Sequence, residues 1–160
     1  MRAPPGMPRR APPGTPSAST EAILAAAPAE FDQNGIRRVA LDDGCRRLTY
    51  RELAERVEAE AAWLAAHGVR RAALAADNGA GWVVADLALD VARLPAVPLP
   101  GYFTPAQQRH ALDDAGVDAC LTDAPEPLLA AGAGWRTVAA SPRSGLTLLR
   151  RAPAVVAVLP

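Results

Sequence analysis

A run of apolar positions at helical spacing lies between residues 53 and 64. Three or four residues separate each position from the next, so all of them fall on one face of an amphipathic helix. A glycine at position 68 supplies a stop for that helix. The pattern therefore predicts a helix from about Tyr50 to His67. The apolar positions are Leu53, Val57, Ala61 and Leu64.

Local signals mark where this helix begins. Thr49 is a favoured N-cap residue, and Glu52 follows it at the position where a carboxylate can accept from the Thr49 amide. Together the two residues have the pattern of a capping box. Leu48 and Leu53 stand at the two positions of a hydrophobic staple, which supports the same helix start.

A second capping box opens another helix. Thr104 is the predicted N-cap, Pro105 occupies the first helical position, and Gln107 stands three residues after the cap. The helix is expected to run to about Asp114 and to stop at Gly116.

Two segments repeat one unit, in which a helix ends at a glycine and a valine leads into a strand with an acidic turn. The segments read HGVRRAALAAD from His67 and AGVDACLTD from Ala115. Alternation of helix and strand predicts an α/β layered fold with parallel pairing. Between the two units we expect a helix over residues 80–93. A strand in PAVPLP (95–100) should follow, and its prolines place it at an edge or a strand end.

The N-terminal residues differ in character from this central part. Residues 1–17 contain the unit Ala-Pro-Pro-Gly twice and are expected to form a disordered, proline-rich tail, so that the domain spans 18–160. A short helix with Ser19 or Thr20 as its N-cap should follow. A hairpin is then predicted, with its first strand over residues 37–43.

The pattern weakens after residue 124. A short helix is possible in APEPLLAAGAG, and strands are possible in WRTVAA and GLTLLRR. The sequence closes on the apolar run 152–160, which is expected to leave a sheet edge or core face uncovered and so to lower solubility.

Composition limits the available chemistry. The 17 basic and 17 acidic residues cancel, which disfavours nucleic acid or an anionic membrane as a partner. All the basic residues are arginine, which excludes mechanisms that need a lysine amine, including a Walker-type phosphate loop. The sequence has neither a run of about 18 apolar residues nor an apolar signal segment, so no membrane span is expected and a cytoplasmic location is predicted.

The cysteines and histidines are isolated from one another. Cys45 and Cys120 lack metal-ligand spacing and are expected to be reduced structural thiols. His67 precedes the glycine stop, where it can interact favourably with the negative end of the helix dipole. His110 has no partner in sequence, so neither histidine is predicted to be catalytic or to bind a metal.

The segment LTYREL, Leu48 to Leu53, resembles the first core motif of the adenylate-forming enzymes, which comprise acyl-CoA synthetases, acyl-AMP ligases and adenylation domains. Downstream, GVRRAALAADN resembles the strand that follows in the family, with Asn78 at a characteristic asparagine. ADLALDVARLPAVPLPGYFTPAQ resembles the second core motif, and the likeness covers about 18–123. One departure lies in the helix-to-strand turn, where the family usually has a glycine and this chain has Leu94-Pro95.

The resemblance implies the layered α/β fold of the N-terminal portion of these ligases. It also implies their reaction, in which ATP and a carboxylic acid give an acyl-adenylate and pyrophosphate, usually followed by transfer to coenzyme A. ATP, magnesium and coenzyme A are thus implied for the full-length family. The family's glycine-rich phosphate loop, ATP-binding motifs and catalytic lysine come after the matched region, and SPRSGLTLLRR lacks the small residues and the lysine of that loop.

We therefore expect an N-terminal fragment, truncated before the phosphate loop, that holds no cofactor and is not catalytic by itself. The alternative is a non-enzymatic α/β module that binds a partner or a small ligand.

No catalytic, cofactor-binding or metal-ligating residue is predicted. Tyr50 and Glu52 belong to the helix start, and Asn78 with Gly79 is expected to make a turn. Tyr102 and Phe103 have two interpretations, lining a pocket or packing. Six arginines in doublets are either contacts for a coenzyme A phosphate or solvated surface. They are Arg37, Arg38, Arg46, Arg47, Arg70 and Arg71.

Overall fold

The structure is a computed structural model that describes residues 15–132 and 134–152. Two strands form a separate antiparallel hairpin, and five others form one sheet in the order β4-β3-β5-β7-β6. The helices are α1 (Ala18–Ala25), α2 (Tyr50–Ala66), α3 (Ala80–Val91), α4 (Pro105–Asp114) and α5 (Glu126–Ala130). The strands are β1 (Val39–Asp42), β2 (Arg47–Thr49), β3 (Ala72–Ala75), β4 (Ala96–Pro98), β5 (Ala119–Thr122), β6 (Trp135–Ala140) and β7 (Thr147–Arg151).

The five-stranded sheet is mixed, which corrects the prediction of parallel pairing in part. Strand β3 pairs in parallel with both β4 and β5, as the helix–strand alternation predicts. Strand β7 is antiparallel to both of its neighbours, β5 and β6. The short turn between β6 and β7 is the reason, because so few residues can join only antiparallel strands. The predicted edge position of β4 is confirmed.

Alternating side chains of the strands build a core on each face of the sheet. On one face Leu74, Leu121 and Leu148 pack with helices α2 and α3. On the other face Ala73, Cys120 and Leu149 pack with residues of α4 and α5. The result is three layers, with α1, α2 and α3 on one side of the sheet and α4 and α5 on the other. The α/β fold class predicted from the sequence is confirmed.

Both predicted capping boxes are present. In α2 the Thr49 N–H donates to Glu52 Oε2 (2.8 Å), and the Glu52 N–H donates to Thr49 Oγ1 (3.2 Å). In α4 Thr104 and Gln107 make the same pair of bonds. Helix α1 differs from the prediction, because its N-cap is Ser17, whose hydroxyl accepts from the Thr20 N–H (3.3 Å).

The turn that contains the departure noted in the second core motif follows the end of α3. Helix α3 ends at Val91, and the Leu94 N–H donates to the Leu89 carbonyl (2.9 Å) in a C-terminal cap. The residue before Leu94 is Arg93, which adopts a left-handed conformation with φ 59°. This conformation favours glycine, and Arg93 directly precedes the Leu94-Pro95 pair at which the sequence departs from the family pattern.

The weaker C-terminal predictions are confirmed by α5, β6 and β7. The apolar run 153–160 and residues 1–14 of the predicted tail lie outside the described residues. Ser17, which the sequence assigns to the tail, donates its N–H to Asp90 Oδ2 (2.8 Å) in α3. Among the residues that the structure describes, no helix is long and apolar enough to cross a membrane.

A candidate binding cleft at the carboxyl edge of the sheet

The carboxyl ends of the three parallel strands meet at one edge of the sheet. From β3 the chain passes to α3 on one face, whereas from β4 and β5 it passes to α4 and α5 on the other face. Adjacent strands whose connections leave to opposite faces open a crevice between them, and ligands of open α/β sheets bind in that crevice. The edge is therefore the candidate functional site.

Two neighbouring clefts lie at this edge. The edge cleft has a volume of about 430 Å³ and is formed by segments 75–77, 99–108 and 122–128. Its walls are mainly apolar, with Leu99, Phe103 and Leu128 among them. The aromatic cleft, of about 330 Å³, is formed by segments 76–82 and 98–102 and includes the side chains of Trp82 and Tyr102.

The aromatic pair of the sequence divides between the clefts. Tyr102 is 84% exposed and lines the aromatic cleft, while Phe103 lines the edge cleft and also packs against the core. The two rings meet edge to face, with centroids 5.6 Å apart. Pocket lining and packing, the two interpretations left open by the sequence, thus both apply to Phe103. Asn78, expected in a turn, follows β3 and lines the aromatic cleft.

The acidic residues that end the two repeated units come together in the edge cleft. Asp77 follows β3 and Asp123 follows β5, and the Asp77 N–H donates to Asp123 Oδ2 (2.9 Å). The buried hydroxyl of Thr122 accepts from the Ala124 N–H (3.0 Å). The repeated unit in the sequence indicated that Asp77 and Asp123 occupy equivalent positions after their strands. It did not indicate that the two residues would be in contact.

The charged side chains that line these two clefts are acidic. Among the described residues that line them, Asp77 and Asp123 are carboxylates and none is an arginine or a histidine, so these clefts offer a phosphate group no cationic side chain. Across residues 15–132 and 134–152, no group of three or more histidine, cysteine or acidic side chains is placed to hold a metal ion.

The arginine doublets lie away from these clefts, and three of their members contact neighbouring groups. Arg38 lies over the Tyr50 ring, with 4.8 Å from its guanidinium carbon to the ring centroid. Arg47 donates from both Nε and Nη2 to the single oxygen Oδ2 of Asp42 (2.9 and 2.7 Å). Arg71 donates to the carbonyl of Ala115 at the end of α4 (2.6 Å). These contacts support the surface interpretation for these three members of the doublets.

The turn between β6 and β7 lies in the segment SPRSGLTLLRR, which was compared above with the family's phosphate loop. A carboxylate holds this turn. Glu60 of α2 is fully buried and accepts from the Ser144 Oγ (2.9 Å), the Ser144 N–H (3.3 Å) and the Ser141 Oγ. A carboxylate at the hydroxyls of both serines excludes a phosphate from the same place. Sequence reasoning missed this contact, since 81 residues separate Glu60 from Ser141.

A second carboxylate that the sequence did not single out holds the start of α3. The N-cap residue of α3 is Gly79, which has no side chain, and the Ala80 N–H donates instead to Asp43 Oδ2 (2.8 Å). Bonds from the N–H groups of Ala80, Arg46 and Cys45 hold the pKa of Asp43 below its usual value.

The cysteines and histidines have no shared site in the described part of the chain. Cys45 is exposed and Cys120 is buried, and the two thiols are free. Burial raises the pKa of the Cys120 thiol to about 12. His67 is the C-cap of α2, as its position before Gly68 predicted, and its Nδ1 lies 2.8 Å from the Trp63 carbonyl oxygen.

The sequence profile of a family described as AMP-binding enzyme matches residues 29–155. No curated protein sequence matches the chain. The O-succinylbenzoate coenzyme A synthetase MenE from Bacillus subtilis, solved in complex with AMP, is 27% identical with a TM-score of 0.57. The match covers 69% of this chain and 27% of MenE.

Two further solved structures are similar. The N-terminal subdomain of NpsA from Klebsiella oxytoca, in complex with 3-hydroxybenzoyl-AMSN, is 26% identical with a TM-score of 0.55, over 66% of this chain and 26% of that chain. The anthranilate CoA ligase AuaEII, in complex with anthranoyl-AMP, is 18% identical with a TM-score of 0.62, over 72% of this chain and 22% of the ligase, and shows the fold alone.

The chain thus spans about a quarter of the length of the solved structures that it matches. It has the α/β architecture of the N-terminal part of adenylate-forming ligases. Because the family profile extends over most of its residues, the protein belongs to the AMP-binding enzyme family.

Proposed function

We propose that this chain is the N-terminal part of an AMP-forming acyl ligase. The complete enzyme would join a carboxylic acid to the α-phosphate of ATP, releasing pyrophosphate, and would then transfer the acyl group to the thiol of coenzyme A. A cytoplasmic location, where ATP and coenzyme A are available, belongs to the same proposal. The family match over residues 29–155 is the observation that carries it.

The solved relatives support the reaction class. MenE is described in complex with AMP and with the acyl-adenylate intermediate OSB-AMP, at 27% and 28% identity. NpsA has also been solved as an artificially fused adenylation–PCP di-domain, at 25% identity. A carrier protein is therefore a second candidate for the thiol acceptor in this chain's reaction.

We further propose that the 160 residues do not catalyse adenylation alone. Adenylation develops negative charge on the triphosphate, and preorganised cations and N–H donors must meet that charge. The 160 residues contain no lysine, and the clefts at the carboxyl edge carry carboxylates. What the chain contributes is the sheet, with its carboxyl edge and apolar cleft walls, against which the ATP-binding part would pack.

Substrate-dependent exchange of labelled pyrophosphate into ATP tests both statements. One arm uses the 160-residue chain with ATP, Mg²⁺ and a panel of aryl and alkyl carboxylic acids. The other arm adds the polypeptide encoded downstream of codon 160, in the frame that encodes a glycine-rich phosphate loop. Exchange is expected in the second arm only.

Exchange by the 160 residues alone would contradict the non-catalytic assignment. The ligase proposal would fail if no downstream frame encoded a phosphate loop, or if the extended protein folded, as judged by a cooperative melt, yet exchanged no pyrophosphate with any acid. Either result would favour the non-enzymatic binding module.

A further inference from the structure

The first turn of α3 is the meeting point of two distant turns. One carboxylate in the β1–β2 turn, that of Asp43, binds in two directions. Its Oδ2 accepts from the Ala80 N–H (2.8 Å), and its Oδ1 accepts from the N–H groups of Cys45 (2.9 Å) and Arg46 (2.6 Å). The carboxylate therefore fixes its own turn and joins that turn to the helix.

Two glycines lie at the start of α3, and only Gly81 stands where a side chain would not fit. A Cβ on Gly79 would lie 3.5 Å from Asp43 Oδ2, in ordinary contact. A Cβ on Gly81 would lie only 2.5 Å from the carbonyl oxygen of Ser144 in the β6–β7 turn. The β1–β2 turn and the β6–β7 turn thus both contact the first turn of α3. These contacts restrict the position of the helix start.

The same helix turn forms one wall of the aromatic cleft. Asn78 lies just before the N-cap of α3 and Trp82 is the third residue of the helix, and both line the cleft together with Tyr102. Trp82 is partly buried and packs against the core on the α2 and α3 face. A shift of the helix start would therefore move the wall of the cleft.

We infer that Asp43 is a positioning residue for the aromatic cleft: by capping α3 from the β1–β2 turn, it sets the placement of Asn78 and Trp82. A cap within the helix itself would stabilise α3 equally well but would not tie it to the β1–β2 turn. This distinction separates positioning from helix capping, and it does not depend on the proposed ligase function.

A pair of variants isolates the two roles. Asp43→Ala removes both the cap and the tether, whereas Asp43→Ala with Gly79→Ser restores an N-cap hydroxyl to α3 without restoring the tether. The readout is the ¹⁹F spectrum of the 160-residue chain labelled with 5-fluorotryptophan, which reports Trp63, Trp82 and Trp135 separately. Urea unfolding of the same samples measures stability, and Gly79→Ser alone is the control.

In both Asp43→Ala variants the Trp82 resonance is expected to shift, while those of Trp63 and Trp135 stay within a linewidth of the parent. The double variant should recover most of the urea midpoint lost in Asp43→Ala. An unmoved Trp82 resonance in a folded Asp43→Ala chain would overturn the inference. So would a double variant whose Trp82 resonance returned to the parent position, because Asp43 would then be a helix cap only.

A kinetic arm rests on the proposed function. In the extended ligase, the double variant should raise the KM of one substrate several-fold and leave kcat within about twofold, because the wall of a binding cleft has moved but no reacting group has changed. Unchanged KM values for all substrates, in a variant with a shifted Trp82 resonance, would overturn a role of this cleft in substrate binding.

Discussion

Helices α2 and α3 lie on the same face of the sheet but begin in different ways. The cap of α2 is made by Thr49 and Glu52, three residues apart in sequence. The cap of α3 is made by Asp43, 37 residues before the amide that it binds. The first helix start is stabilised locally, whereas the second is stabilised by a bond from the β1–β2 turn. Stability at a helix start can thus depend on residues that no local pattern reveals.

The two hairpin turns show the same contrast. The β1–β2 turn is held by its own Asp43, while the β6–β7 turn is held by Glu60 of α2, a fully buried carboxylate. If non-local anchors matter more than local caps, removing Glu60 should have the largest effect of the substitutions considered below.

Glu60→Ala is expected to destabilise the chain by about 3 kcal/mol, because it leaves buried polar groups of Ser141 and Ser144 without an acceptor. Urea unfolding at 25 °C measures the change in the free energy of unfolding. Glu58→Ala is the matched control, since Glu58 is an exposed glutamate on the same helix, and it should stay within about 0.5 kcal/mol of the parent. Equal effects of the two substitutions would mean that the β6–β7 turn does not depend on this anchor.

The contrast also explains which features the sequence could predict. Helices α2 and α4 carry capping boxes, glycine stops and apolar spacing within one segment, so their bounds were predicted to within a residue or two. The two repeated units predicted strands β3 and β5, and Asp77 and Asp123 follow them. The contact between these residues was not predictable, because it depends on β3 and β5 being neighbours in the sheet.

The same limit applies to the sheet and to α1. Antiparallel pairing of β7 depends on the short turn before it, which the helix–strand alternation does not contain. For α1, Ser17, Ser19 and Thr20 all have N-cap side chains, and sequence alone could not choose among them. Ser17 is favoured by its bond to Asp90, a residue 73 positions away.

Removing the local cap of α2 should have a smaller effect than removing Glu60. Thr49→Ala is expected to cost about 1 kcal/mol, because the Glu52 N–H loses its acceptor. Thr104→Ala in the second capping box should cost a similar amount, and Thr49→Ser should restore most of the loss. A urea melt of a folded Thr49→Ala chain with an unchanged midpoint would contradict the prediction.

The capping box should also respond to pH. Hydrogen bonds from the N–H and hydroxyl of Thr49 hold the pKa of Glu52 below its usual value. A carboxyl with a lowered pKa in the folded state adds stability above its unfolded-state pKa, and this stability is lost as the pH falls through the folded-state pKa. The stability gap between the parent and Thr49→Ala should therefore narrow in acid. Urea unfolding at several pH values measures this difference in the free energy of unfolding. A difference that stayed constant down to the folded-state pKa of Glu52 would contradict a stabilising role of the ionised carboxylate in the capping box.

Arg93 offers a smaller change with the opposite sign. Arg93→Gly should stabilise the chain by about 0.5 kcal/mol, because glycine relieves the strain of the left-handed backbone conformation. The net gain is small because glycine also raises the conformational entropy of the unfolded chain. Arg93→Ala keeps the Cβ and serves as the control, which should show no gain. A stabilisation by alanine equal to that by glycine would place the effect in the arginine side chain and not in the backbone.

The N-terminus combines the smallest expected effect, from deletion of residues 1–14, with a larger one at Ser17, where local and non-local contacts meet in one residue. Deleting residues 1–14 should change the free energy of unfolding by less than about 0.5 kcal/mol, because a proline-rich segment has little apolar surface to bury. Deleting residues 1–17 should cost about 1 kcal/mol, since it removes Ser17, the N-cap of α1. The two deletions differ by only three residues. The difference between their free energies of unfolding therefore measures the contribution of the Ser17 cap and of its bond to Asp90. Equal stability of the two truncated chains would place the domain boundary after residue 17, as the composition suggests. A loss on deleting residues 1–14 alone would show that the proline-rich segment packs on the domain.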